Sequence, residues 1–331
     1  MSAGAAREPF GARLAAAMDA HGPLCVGIDP HPGLLAAWGL PDDATGVREL
    51  AARVMDAVGG RVAAVKPQSA LFERHGSAGV AVLEEVVAAG RATGTIVIVD
   101  AKRGDIGSTM AAYADAYLRD GSPLAGDALT VSPYLGFGSL TPAIEAALAT
   151  ARGLFVLALT SNPEAPSLQH AVTPLTLPTP PTPPTPPSRS GFRPFDEASD
   201  GPKSTSRRGA DGGGWSVARW VAESASALNG AELARTGGEL GSVGLVVGAT
   251  VGDAVTRLGI DLAAVRGPLL APGVGAQGAG AAELAAVFGA ARRAVIASSS
   301  RSILAAGPDL ASLRAATRAA ADDAAAALRA Y

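Results

Sequence analysis

Apolar positions along the chain alternate between two rhythms. Short runs rich in β-branched and aliphatic residues fall at 24–28, 62–65, 95–99, 128–131, 154–159, 243–247, 269–271 and 294–297. Such runs, bounded by glycine, proline or charge, read as buried strands. Between most of them the apolar residues recur at helical spacing, as in Val47-Leu50-Val54-Val58, Val80-Leu83-Val87 and Ile144-Ala147-Leu148. A helix over roughly 9–20 precedes the first strand. Thr141-Pro142 predicts an N-cap followed by proline at the first helical position. Strand and helix alternating in this way predict parallel strands joined by crossover helices. Eight units in one α/β domain spanning 1–331 predict a closed (β/α)8 TIM barrel.

One segment, 166–214, breaks the rhythm. It holds Thr173-Pro174-Leu175-Thr176-Leu177-Pro178 and then repeated Pro-Pro-Thr, followed by a Ser/Gly/Arg-rich tail. Proline fixes φ and removes a donor, so this stretch is expected outside strand and helix interiors, as a disordered or polyproline II insertion after strand 5. Its Pro-x-x-Pro spacing fits either a tolerated spacer or a dock for a proline-binding partner.

Polar residues gather just past the strands. Asp29 follows the first, Lys66 the second, Asp100 and Lys102 the third, Ser132 the fourth, Thr160-Ser161-Asn162 the fifth and Thr250 the sixth. Gln277 lies in the loop after the seventh strand and Arg301 just beyond the eighth. In a barrel these positions meet on the C-terminal rim, where active sites sit. The third strand is the most telling. The run Thr95-Ile96-Val97-Ile98-Val99 ends in Asp100-Ala101-Lys102-Arg103-Gly104-Asp105, and alternation puts Asp100 and Lys102 on one face. Gly104 and Gly107 let the chain turn and carry Asp105 into a loop. Buried charges are costly unless they pair or do chemistry.

Composition sharpens this. Of 27 Lys and Arg residues only Lys66, Lys102 and Lys203 are lysines, and two of the three fall at strand ends. Lysine can exchange its proton where arginine cannot, which favours a proton-transfer role. A net charge of -3 argues against a nucleic-acid surface. The lone Cys25 excludes an intramolecular disulfide and suits the cytoplasm. No signal peptide and no membrane-spanning apolar run are read. His21, His31, His75 and His170 lack metal-ligand spacing, so no metal site is expected.

Gly273-Val274-Gly275-Ala276-Gln277-Gly278 matches G-x-G-x-x-G, but no acid follows about 20 residues on to hold a ribose, as a dinucleotide site requires. Glycine-rich backbone after strand 7 suits a phosphate instead, with Arg301 as a clamp. The residues thus predict a barrel enzyme for a phosphorylated small molecule. A Schiff-base aldolase and a non-enzymatic phosphate-binding barrel are the competing readings; flanking acids keep Lys102 protonated, which disfavours the first.

Asp100-x-Lys102-x-x-Asp105-Ile106-x-x-Thr109 resembles the signature of the orotidine 5'-phosphate decarboxylases, bacterial type 2 branch. Val26-Gly27-Ile28-Asp29-Pro30, Val65-Lys66-Pro67-Gln68, Thr130-Val131-Ser132-Pro133-Tyr134 and Ala271-Pro272-Gly273-Val274-Gly275 support it, from about Phe10 to about Gly307. The resemblance implies conversion of orotidine 5'-monophosphate to UMP and CO2 without metal or organic cofactor. It implies a charged network of Lys66, Asp100, Lys102 and Asp105, with Lys102 stabilising and protonating a C6 carbanion. Asp29 would bind the ribose, Ser132 the pyrimidine, and Gln277 with Arg301 the phosphate. It implies a homodimer in which Asp105 and Thr109 complete the neighbouring site. A metal-dependent sugar-phosphate decarboxylase shares D-x-K-x-x-D and remains the alternative. Ser300 departs from the glycine common before the phosphate arginine.

Overall fold

The computed structural model describes residues 7–173, 214–274 and 279–329. Its strands are β1 (Leu24–Ile28), β2 (Ala64–Pro67), β3 (Ile96–Arg103), β4 (Ala128–Val131), β5 (Gly153–Leu159), β6 (Val243–Val247), β7 (Leu269–Pro272) and β8 (Val295–Ser299). Each pairs in parallel with the next and β8 returns to β1, closing a (β/α)8 barrel. The helices, in chain order, are α1 (Phe10–His21), α2 (Pro32–Ala37), α3 (Ala44–Val58), α4 (Ser69–Glu73), α5 (Gly76–Thr93), α6 (Gly107–Leu118) and α7 (Thr141–Ala149). They continue as α8 (Pro166–Gln169), α9 (Val217–Thr236), α10 (Ala254–Arg257), α11 (Ala281–Phe288), α12 (Arg301–Leu304) and α13 (Leu310–Arg329).

Burial follows the two rhythms. Val47, Leu50, Val54 and Val58 form one buried face of α3 against the outer surface of the barrel. Inside the barrel a separate cluster holds Cys25, Ala64, Ile98, Phe155, Leu270 and Ile296, one face of alternate strand positions. Phe10, Leu14 and Met18 of α1 join that cluster and plug the N-terminal mouth. The Phe10 ring meets Phe155 edge-on at 5.9 Å. A Cβ at Gly153 would lie 2.1 Å from the Phe10 ring, so glycine is what lets the plug seat.

Four sequence expectations need correction. Strand β2 spans Ala64–Pro67 rather than 62–65, so Lys66 lies within it rather than after it. Strand β3 runs on to Arg103, so Asp100 and Lys102 lie within it rather than after it. It does so by bulging: the register with β4 jumps from Val99↔Leu129 to Arg103↔Val131, leaving the intervening β3 residues over-long for their partner. Thr141 is the first residue of α7, not its cap. The 3-10 turn Phe137–Leu140 feeds directly into the helix, and the Thr141 hydroxyl donates back to the Gly138 carbonyl at 2.7 Å.

The insertion, expected over 166–214, is shorter. Pro166 opens α8, where a missing N–H costs nothing, and Val172 bridges antiparallel to Ser216. Thr173 N donates to the Trp215 carbonyl at 3.0 Å. Residues 166–173 and 214 of the expected insertion therefore pack with the barrel's own elements. The proline tract and Lys203, with the expectation of disorder placed on them, lie outside the described residues.

Candidate active site

Continuing the interior alternation upward reaches the cleft. Two steps above Cys25 comes Asp29; above Ala64, Lys66 and Gln68; above Ile98, Asp100 and Lys102; above Ala128, Thr130; above Ile296, Ser298 and Ser300. These positions line a cleft of about 1020 Å³ at the C-terminal end of the barrel, with Leu157, Val246 and Leu270 as its apolar floor. Arg301, at the start of α12, stands on the same wall. Period two thus carries β2, β3, β4 and β8 from dry core to polar site within one step, while β5, β6 and β7 stay apolar at the floor.

The centre is a carboxylate between two ammonium groups. Lys66 Nζ donates to Asp100 Oδ2 at 2.6 Å and Lys102 Nζ to Asp100 Oδ1 at 2.6 Å. The Thr130 hydroxyl adds a third donor to Oδ1 at 2.9 Å. Burial alone would push the Asp100 carboxyl up, but Lys66 and Lys102 outweigh it and hold it at about 2. Burial likewise opposes the charge on Lys66, and Asp100 and Asp29 more than restore it, so that lysine stays above its usual range. Lys66 and Asp100 are 7% and 5% exposed, whereas the Lys102 side chain is 44% exposed and opens into the cleft. The trio carries one more cation than anions, and its outer ammonium is free to meet a ligand.

The bulge in β3 sets this geometry. Lys102 adopts φ +48°, the left-handed region that non-glycine residues rarely occupy, at a cost on the order of 1–3 kcal/mol. Its N–H leaves the ladder and donates to Thr130 Oγ1 at 2.9 Å. Thr130 therefore holds both the backbone of Lys102 and the carboxylate of Asp100. Sequence reading named Thr130 as motif context but gave it no role; its signal was a hydroxyl at an inward position of an otherwise apolar strand. Gln68, 3.5 Å from Lys66 Nζ, was likewise given no role.

On the β1 side Asp29 Oδ1 is buried without a hydrogen-bond partner among the described residues, an acceptor suited to a ligand hydroxyl. A Cβ on Gly27 would come within 2.7 Å of Ser300 and 3.1 Å of Asp29 Oδ2, so this position keeps the approach clear. On the β5 side Thr160 and Asn162 line the cleft, braced by Gln169 of α8, which bonds Thr160 N and Oγ1 at 2.8 Å each.

Of the expected site residues, Asp29, Lys66, Asp100, Lys102 and Arg301 line one cleft. Asp105 does not join the lysines: its carboxylate accepts from Ile106 N at 2.8 Å, out on the loop after β3. Thr109 is exposed on α6. Ser132 lies outside this cleft, its N–H bonded to the Arg103 carbonyl at 2.8 Å. Gln277 lies outside the described residues. Among the described residues no group of three or more His, Cys, Asp or Glu could hold a metal ion.

Residues 22–179 match the model of the Orotidine 5'-phosphate decarboxylase / HUMPS family. The orotidine 5'-phosphate decarboxylase of Salinispora arenicola is 53% identical over 310 residues, covering 93% of this chain and 94% of that one. A Streptomyces avermitilis crystal structure, provisionally assigned as an orotidine 5'-phosphate decarboxylase, superposes with a TM-score of 0.82 at 50% identity over 99% of both chains. The Leishmania donovani OMP decarboxylase does so with a TM-score of 0.65 at 29% identity, covering 96% of this chain and 98% of its own. The chain belongs to the orotidine 5'-phosphate decarboxylase family.

Proposed function

We propose that this protein decarboxylates orotidine 5'-monophosphate to UMP and CO2, the last step of de novo pyrimidine synthesis, with its own side chains and no metal or organic cofactor. The observation that carries the reading is the Lys66–Asp100–Lys102 array at the mouth of a barrel cleft. Loss of CO2 from C6 leaves an sp2 carbanion with no adjacent electron sink. An ammonium fixed beside that carbon stabilises the developing charge and then donates the proton. Lys102 suits this role: it is cationic, opens into the cleft, and is oriented by Asp100 at 2.6 Å. Lys66 takes the other Asp100 oxygen and keeps that carboxylate ionised.

Binding groups surround the array. Asp29 offers its unpartnered oxygen to the ribose hydroxyls. Arg301, with Gln277 and the glycines of the seventh loop, takes the phosphate; the family resemblance assigns Ser132 to the pyrimidine, although it lies outside the cleft lined by this chain. Phosphate contacts remote from C6 convert binding energy into rate if they also draw the loops closed. Asp105 and Thr109 complete the site of a second copy in a homodimer. Supporting this, Ile106, Tyr134 and Leu135, from the loops after β3 and β4, leave 61%, 73% and 52% of their surfaces exposed, a cluster that association would cover. The reading assigns the enzyme to the cytoplasm, in keeping with its single cysteine.

The test is a spectrophotometric assay of purified protein with orotidine 5'-monophosphate, run with and without EDTA. Turnover unaffected by chelation is expected. No loss of orotidylate absorbance would overturn the reading, and activity abolished by EDTA and restored by a divalent cation would point to the metal-dependent sugar-phosphate alternative.

A further inference from the structure

Arg103 follows Lys102 directly and faces away from the cleft into a knot of side chains. Its guanidinium pairs with Glu73 and bonds the Tyr117 hydroxyl at 3.1 Å. It also lies over the Tyr113 and Tyr117 rings, 5.4 and 5.6 Å from their centroids, within cation–π range. Glu73 is the last residue of α4 and is itself held by the buried Ser69 hydroxyl at 2.5 Å. That helix starts two residues past β2, which carries Lys66, while the tyrosines belong to α6. One arginine thus fastens the end of β3 to the element behind Lys66 on one side and to α6 on the other.

The fastening matters because of what lies between. Lys102 holds a left-handed backbone at φ +48° inside a bulge, and beyond it the ladder resumes only at Arg103, whose carbonyl accepts from Ser132 N at 2.8 Å. Among the described residues the Lys102 ammonium bonds Asp100 alone, and its side chain is 44% exposed. Apart from that bond, the Lys102 side chain stands open to the cleft. Its backbone is clamped at two points: Thr130 takes its N–H, and Arg103 anchors the next residue.

We propose that Arg103, held by Glu73, Tyr113 and Tyr117, is the positioning residue that keeps Lys102 in the bulged conformation from which its ammonium reaches Asp100 and the reacting carbon. This deepens the proposed decarboxylase reading and rests on Lys102 being the proton donor. A displacement of about 1 Å at a reacting group can cost about 100-fold in rate without loss of binding.

The experiment measures kcat, KM and UMP affinity for Arg103→Met, Arg103→Lys, Glu73→Gln and the double variant Arg103→Met/Glu73→Gln, with Lys102→Ala alongside. Arg103→Met should lower kcat about 10- to 100-fold with KM and UMP affinity changed less than threefold. Arg103→Lys, which keeps the pair with Glu73, should recover part of the loss, and the double variant should be no slower than Arg103→Met, because both act through one tie. Should Arg103→Met fail to fold, Glu73→Gln carries the same test. A normal kcat with only a lowered Tm overturns the proposal. So does a loss that appears equally in KM, or one reversed by raising enzyme concentration, which would mark a subunit-association defect. If Lys102→Ala keeps its turnover, the decarboxylase mechanism falls instead; if Lys102→Ala is dead and Arg103→Met is normal, only the positioning role falls.

Discussion

The lower and upper halves of the barrel interior are made by the same strands in the same alternation, and they do opposite work. Below, Phe10, Phe155, Ile98 and Ile296 are fully buried and pack as an ordinary core. Even the titratable group there is silent: burial pushes the Cys25 thiol up to about 12, so it stays neutral. One step higher along β2 and β3, roughly 7 Å by strand rise, the same face carries Lys66 and Asp100, with Lys102 beyond them. The comparison teaches that the dry half is what makes the charged half effective. It excludes water beneath the lysines, so their contacts with Asp100 are screened from below by protein alone and act at low local dielectric.

The sharpest way to break this comparison is to remove the outer ammonium. Lys102→Ala should cost several orders of magnitude in kcat while the fold, followed by circular dichroism, persists; near-normal turnover would end the account. The matching change below is Phe10→Ala. It should destabilise the barrel by about 3–5 kcal/mol in denaturant unfolding yet leave kcat of the folded enzyme within a few-fold. A collapse of kcat without loss of stability would show that the halves are not separable.

Acid titration gives a smaller effect. Because Asp100 is held at about 2 against an ordinary 3.8, its ion pairs contribute stability, on the order of 2 kcal/mol, above pH 3.8. That contribution is lost as pH falls from 3.8 toward 2. Between pH 5 and 8 neither Tm nor kcat should show a step from this carboxylate. A fall in kcat/KM near pH 6 would belong to the substrate phosphate, whose second ionisation lies at about that pH; a kcat step that Asp100→Asn abolishes would contradict the assignment. The smallest effect is expected from replacing residues 174–213 by Gly-Gly. The ends are already paired through Val172–Ser216, so kcat should stay within twofold and stability should rise by at most about 2 kcal/mol from the shorter loop.

The barrel was legible because its two periods are clean, and β1, β4 and β6 have the bounds that their apolar runs predict. The cleft was legible because alternation carries polar residues inward: Asp29, Lys66 and Asp100 needed nothing beyond strand register. The bulge was not, since a left-handed lysine leaves no mark on composition; it exists because β3 must outrun β4. Thr130 and Arg103 escaped for a related reason. Their partners lie 30 residues away at Asp100 and at Glu73, and only barrel closure brings them together. Asp105 was expected in a loop, turned there by Gly104 and Gly107, and it lies in the loop after Arg103, off the site of its own chain.

The pinched neck at Val172–Ser216 has a practical corollary. One antiparallel bridge ties the chain together where it leaves at Thr173 and returns at Gly214, and Gln169 nearby in sequence braces Thr160 on the cleft wall. Sequence grafted there, a reporter or an affinity module, would hang beside the mouth of the enzyme without touching the parts that make it run.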